Sequence, residues 1–157
     1  MIHTYPVGEA DSQFLYELYV STRWEEVRSW GWEETMIHPF LKLQWTAQQH
    51  SYSHQYPGAE HLILAYDEQK VGQALVARSG SSLSLVDLSM LPAWRNRGLG
   101  TLFIQELQAE ATAESIPIRL SVLQNNRALR LYERLGFRHK AYNGLHIQME
   151  WSSLPTK

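Results

Sequence analysis

Six residues, Arg95-Asn96-Arg97-Gly98-Leu99-Gly100, stand between an apolar run that stops at Pro92 and a periodic run that begins at once after them. Leu83–Leu91 reads as a strand. Leu99, Phe103, Leu107 and Ala111 recur four apart and predict a helix over Gly98–Ala113 with one apolar face. Glycine is the poorest ordinary helix former, so two glycines at the start of a helix serve through their backbone. The first N–H groups of a helix have no intrahelical acceptor, and the helix dipole adds partial positive charge there. Without Cβ atoms in the way, a large anion can reach those donors. Arg95 and Arg97 add full charges. A strand, an anion-binding turn and a helix, followed by a second strand at Ile116–Val122, make one β-α-β crossover. Such a unit forces a parallel strand pair into whatever sheet the chain builds.

Two familiar phosphate loops are excluded by their chemistry. A Walker A loop needs a lysine before its Ser or Thr, and Gly100 runs directly into Thr101. A dinucleotide fingerprint needs a third small residue where Phe103 stands, and an acid about 20 residues on. The pattern that remains, Arg-x-x-Gly-x-Gly after a strand and a proline, suits a pyrophosphate.

The rest of the chain supplies partners for that unit. Ile2–Val7 reads as an opening strand, and Asp11 or Ser12 as the N-cap of a helix carrying Phe14, Leu15, Leu18 and Tyr19. A second helical pattern covers about Glu33 to Gln55, and Pro39 predicts a break near His38. Tyr56–Glu60 marks a change to strands. His61–Tyr66 and Val71–Arg78 form a hairpin across "DEQK". Asn126–Phe137 contains a short helix, and Leu145–Trp151 a last strand. The order β α α β β β α β α β β predicts an α/β (α+β) domain over residues 1–157. Its mixed sheet carries helices on both faces.

Composition narrows the function. The chain has no cysteine, which removes disulfides, thiolate catalysis and cysteine-ligated zinc. Its net charge of −2 gives no general pull toward nucleic acid or membrane. The charge is uneven, however. Residues 1–60 carry eight acids against three bases, and residues 61–157 eleven bases against eight acids. A cationic partner for the first part and an anionic one for the second fit that split, and so does plain solvated surface. No apolar run approaches the ~20 residues of a membrane span, and the opening residues lack the pattern of a signal peptide. These readings give a cytoplasmic protein with no nucleic-acid or membrane partner. His50 and His54 have the spacing of a two-histidine metal pair but lack its glutamate, so no metal is expected.

The Arg95–Gly100 loop closely resembles motif A of the GNAT N-acetyltransferase superfamily, which grips the pyrophosphate of acetyl-CoA. "NNRALRLYERLGF" (Asn125–Phe137) resembles the superfamily's second signature, an Asn with a Tyr seven residues on and then Gly-Phe. The two lie in the right order about 30 residues apart, and the close match covers Leu83–Phe137. The resemblance implies a mostly antiparallel sheet of about seven strands, with a splayed parallel pair as the cofactor cleft. It implies acetyl-CoA as co-substrate and an amine as acceptor.

It also assigns roles. Leu88, Ser89 and Met90 would lend backbone groups to the pantetheine arm, although Leu88 and Met90 equally suit the core. Arg95, Asn96, Arg97, Gly98, Leu99, Gly100 and Thr101 would cradle the pyrophosphate, against the rival of an ordinary charged turn. Asn125 would hydrogen-bond the cofactor. Tyr132 would sit near the sulfur and assist thiolate departure, against the rival of a helix aromatic packed beside Leu131 and Leu135. Asp87, beside the pantetheine segment, is the candidate general base and an acceptor-binding group. Its rivals are a solvated strand acid and a partner for an arginine. Glu25, Glu26 and Trp32, in the acidic and aromatic segment Thr22–Glu34, suit a small-molecule or peptide acceptor of cationic character. Core tryptophans and solvated glutamates would read the same. Leu120 holds the position where some protein N-terminal acetyltransferases carry a glutamate, which speaks against that subclass. Members of the superfamily are often dimers, so a homodimer is one expected assembly. The rival function is a non-catalytic acyl-CoA sensor or scaffold, which would keep the loop and dispense with Tyr132 and the base.

Overall fold

A computed structural model describes residues 2–154. Its strands are β1 (Ile2–Pro6), β2 (Glu60–Tyr66), β3 (Gln69–Arg78), β4 (Leu83–Met90), β5 (Ile118–Leu123), β6 (Arg138–Tyr142) and β7 (His146–Trp151). The helices are α1 (Ser12–Arg28), α2 (Glu34–Gln55), α3 (Leu99–Glu114) and α4 (Ala128–Arg134). One seven-stranded sheet runs in the order β1-β2-β3-β4-β5-β7-β6. Every neighbouring pair is antiparallel except β4 with β5. That exception is the crossover through α3 that the sequence predicts.

Alternation along the strands builds two layers. Leu62, Leu64, Ala74, Val76, Leu83, Leu85, Ile118, Leu120 and Val122 form one core with Phe103, Ile104, Leu107 and Ala111 of α3. Tyr132 and Phe137 close that core from the α4 side. The opposite face is crossed by α1, which contacts β3 and β4. There α1 and α2 pack through a smaller cluster of Val27, Ile37 and Leu41.

The expected break at His38 does not occur: α2 is continuous from Glu34 to Gln55. Pro39 is the sixth residue of the helix, so the N–H it lacks costs the single bond to the Thr35 carbonyl. Ile37 and Leu41 on either side of it are buried, and the His38 carbonyl accepts from the Tyr16 hydroxyl at 3.1 Å. Packing overrides the local rule. Asp11 does stand at the N-cap of α1, but its carboxylate turns back to accept from the Gly8 amide at 2.9 Å and to pair with Lys70.

Candidate active site

The site begins where β4 and β5 part. Their parallel ladder joins Leu83, Ser84 and Leu85 to Ile118, Arg119 and Leu120 and goes no further, although β4 runs on to Met90 and β5 to Leu123. A β-bulge sits at the same point. Leu75 of β3 faces Asp87 while the next residue, Val76, faces Leu85, leaving Val86 as the extra residue. A bulge bends and twists its strand, so β4 leaves β5. The bulge also shifts the alternation: Leu88 and Met90 now pack toward the α3 core, while Asp87 and Ser89 share the opposite face with Gln73. Two side chains of the Leu88–Met90 segment enter the core, and the strand edge toward β5 lacks a ladder. Gly72 lets β3 come this close, because a Cβ there would lie 2.6 Å from Met90 Sδ and would strike the Ser89 carbonyl oxygen.

The loop after β4 turns through Pro92–Trp94 into α3. Arg95 is half-buried, and its Nε donates to the Met90 carbonyl at 3.0 Å, pinning the loop to the strand end. Asn96 (φ +61°) and Gly98 (φ +80°) are both left-handed. The first helical bond runs from the Leu102 N–H to the Gly98 carbonyl at 3.0 Å. The amides of Leu99, Gly100 and Thr101 therefore have no intrahelical acceptor. Leu99 buries its side chain in the core and contributes only its backbone. Arg97 stacks on Trp94, 4.9 Å from the ring centroid. Burial and the charge of Arg127, the residue before α4, lower the pKa of Arg95. Two cations drawn together beside free helix amides fit a diphosphate.

α4 starts on the Asn126 carboxamide, whose Oδ1 accepts from the Ala128 N–H at 2.8 Å. Asn125 is exposed beside it. The Tyr132 ring is buried and tilted against Phe137 at 5.7 Å. Among the described residues its hydroxyl has no hydrogen-bond partner, yet no side-chain oxygen is both buried and unpartnered. The hydroxyl therefore keeps some exposure to solvent. Burial, and then the charge of Asp87, push this phenol above its usual range, so it stays protonated at neutral pH.

Asp87 is half-buried and has no arginine or lysine partner among the described residues. Desolvation raises its carboxyl pKa, against hydrogen bonds from Gln73 and the Leu88 amide and the charge of His61. Tyr52 of α2 feels the same carboxylate. Its phenol is raised first by burial and then by Asp87, Tyr56 and Tyr19. Tyr52, Gln73 and His61 are surroundings of Asp87 that the sequence reading missed. The signal for Gln73 was a lone amide inside the apolar strand "VGQALVA"; Tyr52 and His61 gave none.

Asp87 and Tyr132 are coupled through charge, and the start of α3 lies against α4, where a Cβ on Gly100 would sit 3.3 Å from the Leu131 side chain. The structure does not draw in Glu25, Glu26 or Trp32. Glu26 pairs with Arg23 at 2.8 Å, Glu25 is exposed, and Trp32 stacks edge-on with Trp30 and Phe40. Leu120 is buried in the α3 core, so β5 offers no carboxylate at that point. His50 and His54 lie exposed on α2. Among the described residues no helix is long and apolar enough to cross a membrane.

Comparison with known proteins follows the same lines. A family model described as "Acetyltransferase (GNAT) domain" matches residues 57–139. Curated proteins give no sequence match. Solved structures do match in shape. A PaiA N-acetyltransferase from Thermoplasma acidophilum, in complex with coenzyme A, has a TM-score of 0.71 and 17% identity, covering 97% of this chain and 99% of its own. A GNAT family acetyltransferase from Elizabethkingia anophelis with acetyl-CoA bound has a TM-score of 0.62 and 12% identity, covering 96% and 97%. The ribosomal-protein-S18-alanine N-acetyltransferase from Escherichia coli has a TM-score of 0.61 and 16% identity, covering 100% and 97%. At such identities the likeness carries the fold alone.

Proposed function

The chain belongs to the GNAT acetyltransferase family, and from that premise we propose that it transfers the acetyl group of acetyl-CoA directly to a primary amine. The whole chain, threaded through one sheet, acts as one domain. When bound, acetyl-CoA supplies a thioester carbonyl as electrophile and a thiolate as leaving group. Asn96, Arg97 and Gly98 with the amides of Leu99, Gly100 and Thr101 hold the diphosphate, and Arg95 and Arg127 supply its counter-charge. Backbone groups of Leu88, Ser89 and Met90 bond the pantetheine amides as a strand edge would, and Asn125 adds a contact at the rim.

Asp87 takes a proton from the acceptor ammonium. A carboxyl raised by burial is the better base for this, since an amine near pKa ~10.4 gives up its proton reluctantly. The freed nitrogen lone pair forms the new C–N bond as the C–S bond breaks, and the second nitrogen proton passes to the departing thiolate to give the free thiol. Tyr132 donates a hydrogen bond from its hydroxyl to the departing sulfur. With no cysteine in the chain, a cysteinyl acetyl-enzyme is not open to it. The acceptor is a small-molecule or peptide amine of cationic character, drawn by Asp87 and flanked by Tyr19, Tyr52 and Tyr56. Glu25, Glu26 and Trp32 would meet the far end of a longer acceptor.

One observation carries this reading. The Tyr132 hydroxyl, unpartnered among the described residues, is not sealed from solvent and feels the Asp87 charge. The test is calorimetry with acetyl-CoA, followed by free-thiol release over a panel of amines. Binding with amine-dependent thiol release supports the proposal. Binding with no release against the whole panel favours an acyl-CoA sensor, and no binding at millimolar CoA overturns both.

A further inference from the structure

Behind Asp87 runs a chain of polar groups on one sheet face. Gln73 is 7% exposed, and both ends of its carboxamide are used. Nε2 donates to Asp87 Oδ2 at 3.2 Å and to Ser89 Oγ at 2.9 Å, while Oε1 lies 2.8 Å from His61 Nε2. A carboxamide has two N–H donors and one carbonyl acceptor, and a carboxylate only accepts. The nitrogen must therefore face Asp87, which leaves the oxygen facing His61. His61 must then present Nε2–H. The flipped amide would set its oxygen against a carboxylate, a repulsive contact, and would meet His61 only if that ring carried its hydrogen on Nδ1 and accepted at Nε2.

We propose that His61 and Gln73 are positioning residues for acetyl transfer: His61 fixes the flip of the Gln73 amide, and Gln73 aims Asp87 and Ser89 at the acceptor. This rests on reading Asp87 as the base. Because Ser89 Oγ accepts from Gln73, its own hydrogen is left to donate into the cleft toward the acceptor. The amide also does electrostatic work, since its N–H favours the ionised carboxylate against desolvation. The titratable groups coupled to Asp87 through charge are His61 from β2, Tyr52 from α2 and Tyr132 from α4. Both phenols are pushed upward, away from the range in which the carboxylate titrates.

The test uses the full chain. Nitrogen-15 NMR of the His61 ring reads its tautomer in the unsubstituted protein. Nε2–H is expected near neutral pH, and a ring protonated only at Nδ1 overturns the proposal. Carbon-13 carboxyl NMR then follows Asp87 through a pH titration. Gln73→Leu should move that titration upward and, because Asp87 is no longer aimed, lower kcat for the fastest amine of the panel about tenfold or more at a pH where Asp87 is still ionised, as expected for losing a hydrogen bond to a charged group. The Kd for acetyl-CoA should stay unchanged. His61→Phe, which leaves Gln73 in place but unpinned, should act in the same direction and more weakly; this variant stands in if Gln73→Leu does not fold. Asp87→Asn separates the two claims. If it leaves thiol release intact, the base assignment falls. If it abolishes release while Gln73→Leu shifts neither the titration nor kcat, the positioning proposal alone falls.

Discussion

Gly72→Ala probes the geometry on which the cofactor cleft depends. A methyl group at Gly72 would overlap the Ser89 carbonyl oxygen and come within 2.6 Å of Met90 Sδ and 3.3 Å of Met90 Cα. Ordinary carbon contacts lie near ~3.5–4.0 Å, so β3 and β4 must part by roughly 0.5–1 Å. The sulfur can swing away, but the backbone of Ser89 cannot. Overpacking of this kind costs about 1–3 kcal/mol, which for a chain of this size lowers Tm by roughly 2–12 °C. The displaced residues are those whose backbone borders the gap toward β5, so the variant should lose affinity for CoA as well as stability. Thermal melts with and without CoA read both, since the ligand-induced rise in Tm scales with affinity. Gly58→Ala is the control, with nothing within 4 Å of the added carbon and an expected change within about 0.5 kcal/mol. Equal melting temperatures and equal CoA affinity for Gly72→Ala would refute the close approach of β3 to β4.

Three further outcomes are expected. Gly98→Ala places a methyl group where φ is +80° and nothing lies within 4 Å. Its stability cost is backbone strain of about 1–2 kcal/mol, and intrusion on the diphosphate amides should weaken CoA about tenfold or more by calorimetry. Tyr132→Phe keeps the packing against Phe137 and should lower kcat at least about tenfold with CoA affinity unchanged; an unchanged kcat removes Tyr132 from the chemistry. Asp87→Asn should end thiol release yet stabilise the fold at neutral pH. The native carboxyl is raised above its unfolded value by burial, so the folded state loses stability as pH climbs from the ordinary carboxylate range to the native pKa and stays lowered above it. Urea melts should show the advantage of the Asn variant shrinking as pH falls from that raised value toward the ordinary carboxylate range, and disappearing below it.

What could be read without coordinates was whatever is local. The Arg95–Gly100 loop and the Asn125–Phe137 signature are contiguous strings whose residue types state their own chemistry. Both fall on the loop and helix expected of them. Pro39 was misread for the same reason. A rule about one residue and its neighbours sees no Val27 packed against Ile37 and Leu41. β6 escaped residue-level placement because all five of its residues are exposed at the sheet edge, which leaves no alternation to detect. Gln73, His61 and Tyr52 meet Asp87 only through strand register and helix packing, and no spacing along the chain encodes either.

Register also ties the base to the cleft through one residue. Asp87 has the same parity as Leu83 and Leu85, both buried in the α3 core. In an unbroken strand its carboxylate would point among Phe103, Ile104 and Leu107, where burying an unpaired charge costs several kcal/mol. The extra residue at Val86 turns it to the other face, where Gln73 meets it. The same bulge twists β4 from β5 and ends their ladder at Leu85. The opening for the cofactor and the orientation of the base therefore cannot be varied separately. The apolar spacing of "LSLVDLSM" carries the trace of this. It runs 83, 85, then slips to 86, 88, 90. A strand that buried one face throughout would have no reason to change step.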